Sequence, residues 1–125
     1  LIVDRLGKKR ASLIGLLAAA IFFASIPLFR ETLFLIRVFL ALTVFWIEYA
    51  IVALFPLYGE QVPEARATVF SLIALANGIG LAVGPVITTA LWALYGLTAI
   101  TIFAAASLFA AFVLLRLFLF DNPER

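Results

Sequence analysis

The sequence predicts an all-α membrane protein with four transmembrane helices, and three observations carry that prediction. Hydrophobic residues make up 66% of the 125 residues and charged ones only 13%, whereas soluble domains run nearer half apolar with about a quarter charged. Mean hydropathy is +1.24. The apolar residues are gathered into runs of the roughly 20 residues that a helix needs to cross a hydrocarbon core. Most of the lysines and arginines collect in the breaks between those runs.

The chain opens with a polar loop, residues 1–10, that packs Asp4, Arg5, Gly7, Lys8, Lys9 and Arg10 into a short stretch. The first span is expected over residues 11–29, stopped by Pro27 and the charges Arg30 and Glu31. The second covers residues 33–58 and closes near Pro56. A polar linker follows, in which Pro63 and Glu64 suit the first turn of a helix, where a missing N–H and a negative charge are both favoured. The third span, residues 67–94, carries Gly78, Gly80, Gly84 and Pro85; a turn at Leu94-Tyr95-Gly96-Leu97 leads to the fourth, residues 97–120. The four spans form a single partial domain.

Charge sets the direction of these spans. Arg5, Lys8, Lys9, Arg10, Arg66, Arg116 and Arg125 fall on one side, while the other side has Arg30 and an uncharged turn. The excess of bases marks the cytoplasmic side, so both ends are expected there, in a plasma or inner membrane. The net charge of +2 therefore reads as topology, with the lipid bilayer as partner and not nucleic acid. The chain has no Cys, His or Met. Thiolate metal sites, disulfides and the commonest general base are excluded with them. No cofactor, metal or enzymatic role is expected. With no initiator Met and a start inside a loop, the chain is expected to be part of a longer protein.

Ionisable residues inside spans are costly and default to functional candidates. Arg37 lies about one turn inside the second span and Glu48 near mid-depth. Eleven residues separate them, three helical turns plus about 20°, which puts both on one face some 16 Å apart along the axis. Glu48 suits either a proton- or cation-binding carboxylate, flanked by Phe45, Trp46 and Tyr49, or a structural carboxylate paired with another helix. Arg37 suits either a site in the bundle or a base snorkelling to the interface. Asn77 is a candidate for lining a pathway or for hydrogen bonding between helices. Ala76, Gly80, Gly84 and Thr88 recur every four residues, a small-residue stripe expected to let another helix approach closely. Pro85 is expected to bend that helix into a hinge.

Asp4, Arg5, Gly7, Lys8 and Lys9 match a known signature, Gly-x-x-x-Asp-Arg-x-Gly-Arg/Lys-Arg/Lys, apart from its leading glycine. The chain in this respect resembles the major facilitator superfamily of secondary transporters. Arg37 to Ala41 resembles that family's Arg-x-x-Gln-Gly motif, with Leu40 and Ala41 in place of the last two residues. The stretch from Gly80 through Gly84-Pro85 to Thr88 and Thr89 is similar to its antiporter motif, with the final two glycines replaced. The resemblance implies four helices of a twelve-helix fold, expected to be helices nine to twelve, with three to six as the alternative. It also implies that the first motif latches the cytoplasmic side closed.

The expected function is transport of a small solute by alternating access, with the remaining helices of the same transporter as partner. Proton-coupled efflux of a hydrophobic or cationic molecule is the leading form; symport and uniport are alternatives. Two other classes compete. A self-standing four-span exporter would carry its acidic residue in the first span, which here has none. A scaffold or assembly protein would account for the glycine stripe but not for the ordered loop motif.

Overall fold

The structure, a computed structural model, describes residues 7–29 and 31–119. All regular elements among them are helical. Helix α1 spans Lys8–Ser25, α2 spans Leu33–Gln61 and α3 spans Arg66–Phe118; 3-10 turns at Ile26–Phe29 and Pro63–Ala65 precede α2 and α3. With their flanking turns, the three are long and apolar enough to cross a membrane. Long apolar runs form helices there because each backbone N–H and C=O must find its partner inside the segment.

Helix ends follow local chemistry. Gly7 caps α1 at φ 82, a conformation that residues with a Cβ rarely adopt. Its carbonyl accepts the Ala11 N–H at 3.0 Å, the first helical bond. The chain tightens into a 3-10 turn around Pro27, and the Thr32 carbonyl then accepts the Ile36 N–H at 3.1 Å to begin α2. Pro56 does not close α2. The helix runs through it to Gln61, at the cost of one ladder bond to the Val52 carbonyl.

The last two expected spans, residues 67–94 and 97–120, meet without a loop. The element α3, 53 residues from Arg66 to Phe118, holds two helices merged across a kink, where Gly96 alone departs from helical dihedrals, at φ 73 and ψ −162. Counted as continuous elements there are three long helices among the described residues, not four. That region is essentially closed to residues with a Cβ, so one glycine makes the break and no loop is needed. A straight helix of this length would extend roughly 80 Å, against a hydrocarbon core of about 30 Å. The break at Gly96 lets each arm be one crossing long.

Helices α1 and α2 form an antiparallel pair. Lys8 meets Glu60 at one end, Gly15 meets Ala50 midway, and Phe22 packs edge-on against Phe39 at the other, centroids 5.7 Å apart. The contact face of α1 is made of small residues: Ala11, Gly15 and Ala19 are all buried, Ala11 and Ala19 completely. Lipid tails are as apolar as leucine, so close approach and dispersion hold such helices together, and small side chains permit it. The second arm of α3 closes the group. Leu108, Phe112 and Leu115 join Leu13, Leu16, Leu54 and Leu57 in one apolar cluster. The first arm touches α2 near its start, where Phe70 stacks on Phe55, and residues 74–83 are exposed throughout.

Candidate functional site

Two groups of candidate residues occupy different places. The first lies where the head of α1, the end of α2 and the end of α3 converge. Asp4 and Arg5 fall outside the described residues. Gly7 sets the start of α1, and the next three residues, Lys8, Lys9 and Arg10, are all basic. Cations at a helix N-terminus face its positive pole, an unfavourable placement. Both lysines turn outward from it to other helices. The Lys8 ammonium donates to the Glu60 carboxylate in the last turn of α2. The Lys9 ammonium donates to the main-chain carbonyl of Leu119, just past the end of α3. Each cation thus reaches the negative end of a neighbouring helix, and Lys8 also neutralises an acid that would otherwise oppose the α2 dipole.

Glu60 has no place in the signature, and sequence reasoning missed it. Its signal was an acid at the edge of the polar linker, on the same side as four bases. The Leu119 carbonyl left no signal, because a main-chain acceptor is invisible in side-chain pattern.

The second group lies within the membrane-spanning region. Arg37 and Glu48 are both on α2 and both exposed, and neither has a hydrogen bond or ion pair among the described residues. The continuous helix between them keeps them on one face. Trp46 sits edge-on to Phe45 and to Tyr49, with centroids 5.5 and 5.7 Å away, so an aromatic wall adjoins Glu48 in sequence. Asn77 is exposed on the first arm of α3 and also lacks a partner among the described residues. The structure brings Asn77 to no other candidate.

The glycine stripe meets nothing. A Cβ added at Gly80 or Gly84 would find no atom within 4 Å. Close helix contact occurs instead at Gly15, where an added Cβ would lie 2.9 Å from the Trp46 carbonyl oxygen. Backbone dihedrals stay helical past Pro85, and the departure is at Gly96. Around that break Thr88, Thr89, Trp92 and Ile100 line an open concavity. The Thr88 hydroxyl is already committed to the Gly84 carbonyl at 2.9 Å, and Ser71 and Thr43 likewise donate to their own helices. Among the described residues no group of three or more His, Cys, Asp or Glu is placed to hold a metal ion.

Compared with known proteins, the chain matches the family model described as Major Facilitator Superfamily over residues 1–125. No curated protein and no solved structure matches it.

Proposed function

Because the chain belongs to the Major Facilitator Superfamily and is thereby a multi-pass membrane transporter of small molecules, we propose that it supplies a gating loop and a coupling carboxylate to a proton-driven exporter working by alternating access. It corresponds in this reading to helices nine to twelve of a twelve-helix transporter, with the loop end in the cytoplasm. The observation that carries the gating role is the division of labour within the signature. Lys8 and Lys9 tie the loop to α2 and α3 of its own bundle. On this reading Asp4 and Arg5 of the signature engage the other half, and a loop anchored at two points transmits that engagement to three helices together.

The coupling role rests on Glu48. A carboxylate midway along a spanning helix, uncovered and without a partner among the described residues, is too costly to leave facing lipid. It belongs against a water-filled path between the halves, where proton uptake and release can alternate with solute. Arg37 on the same face holds the path's outer end polar. The Gly84-Pro85 motif supports export over import, and symport remains the competing form.

Flux in proteoliposomes containing the full-length transporter, with ethidium as probe and an imposed pH gradient, tests this reading. Glu48→Gln is expected to abolish gradient-driven accumulation while preserving downhill exchange. Accumulation at the wild-type rate would remove Glu48 from coupling. Asp4→Asn is expected to slow turnover with insertion intact; wild-type turnover would reduce the loop to a topology signal.

A further inference from the structure

Among the described residues, the bases at the loop end divide into two sets, and only one is engaged by other described residues. Lys8 and Lys9 are half-buried and engaged with Glu60 and Leu119. Arg10, Arg66 and Arg116 are exposed, and none has an ion pair among the described residues. Three different segments carry them: the first turn of α1, the first residue of α3 and the last turn of α3. Contacts at Lys8 and Lys9 bring these segments to one end of the bundle. Each arginine lies within about one turn of a helix terminus, the depth at which a spanning helix meets the headgroup layer. Against them stands Glu64 alone as an unpaired acid at this end among the described residues, since Glu60 is taken by Lys8.

We propose that Arg10, Arg66 and Arg116 form a binding rim for the headgroups of anionic phospholipids. Guanidinium fits such headgroups well, because its planar fork of donors matches a phosphate oxygen pair and it gives up water more readily than an ammonium. Placement on three segments that converge at the gate gives the rim a consequence beyond anchoring. Lipid phosphates that bridge the segments hold the loop end together from outside, as Lys8 and Lys9 do from inside. The inference uses only the membrane-spanning character of the chain and stands or falls apart from proton coupling.

The experiment reconstitutes the full-length transporter into nanodiscs of phosphatidylcholine with a minor share of phosphatidylglycerol, then counts retained lipids by native mass spectrometry. Wild-type protein should retain phosphatidylglycerol in excess of its share. The excess should shrink as ionic strength rises from about 0.01 M to about 0.15 M, where the Debye length falls from about 30 to about 8 Å. Each single Arg→Gln change should lower the preference about fivefold at low salt. The triple Arg→Gln variant should show none, and the triple Arg→Lys variant most of it. A preference that ignores salt, or that survives in the triple Arg→Gln variant, would overturn the proposal. Inorganic phosphate should fail to displace the lipid; displacement at millimolar phosphate would make the rim a site for free anions instead.

Discussion

Adding a single carbon at Gly15 should loosen the α1–α2 pair. A Cβ there would sit 2.9 Å from the Ala50 Cβ, 2.9 Å from the Trp46 carbonyl oxygen and 3.1 Å from the Ala50 amide nitrogen. Non-bonded contacts find their optimum at about 3.5–4.0 Å. Two of the three atoms belong to helix backbone and cannot rotate away, so the helices must part by roughly 0.5–1 Å, which forfeits a quarter to a half of each pairwise contact along the seam. Ala11, Ala19, Ala50 and Ala53, all fully buried, lose contact together. Overpacking of this kind costs about 1–3 kcal/mol. The better helix propensity of alanine returns up to about 1 kcal/mol, which from the middle of that range leaves a net loss of roughly 1 kcal/mol. The assay is reversible SDS-induced unfolding of the full-length protein in mixed micelles, followed by circular dichroism. Gly59→Ala serves as contrast, since its nearest neighbour would be the edge of the Phe70 ring at 3.6 Å, ordinary contact; it should be no less stable than wild type and up to about 1 kcal/mol more stable through helix propensity. A Gly15→Ala protein as stable as wild type, or as Gly59→Ala, would refute the close-packed seam.

Three further outcomes are expected. Gly96→Ala, forced into a φ of 73 with ψ −162, should cost about 1–3 kcal/mol in the same titration; no loss would mean that the break is not made by this residue's backbone. Gly7→Ala faces no steric neighbour within 4 Å but a φ of 82, so it should lose about 1–2 kcal/mol through strain alone, and an unchanged midpoint would contradict that. Lys8 and Glu60 are 33% and 38% exposed, so a double-mutant cycle with Lys8→Gln and Glu60→Gln should return a coupling of at most about 1 kcal/mol. A coupling of zero would leave the loop unanchored at that point.

The class and most helix ends were legible in the sequence because bilayer thickness and backbone saturation dictate them: α1 and α2 begin and end within a few residues of the expected spans. Pro56 misled because proline marks a lost hydrogen bond, not a stop, and neighbouring turns can carry the helix across it. The break between the last two spans was placed correctly at Leu94-Tyr95-Gly96-Leu97, but it takes one residue and not a four-residue turn, because Gly96 alone is able to break the helix. Packing was less legible. Gly80 and Gly84 make the more conspicuous stripe, yet the close contact falls on Ala11, Gly15 and Ala19. A stripe of small residues says that approach is possible, not which helix approaches. In the loop, Gly7 and the lysines were readable as a motif. Their partners were not, because Glu60 lies 52 residues from Lys8 and the Leu119 carbonyl 110 from Lys9.

Alternating access is the central claim, and reciprocal motion of the two ends tests it most directly without knowledge of the cargo. The chain has no cysteine, so single spin labels can be placed at Ala65, beside the loop end, and at Thr32, at the opposite end. Each is paired with a label on the other half of the transporter at the same end, and distances are measured by double electron–electron resonance. Two populations are expected at each end, one end opening as the other closes, with Glu48→Gln shifting their balance. Single distances at both ends, or ends that widen together, would contradict the account.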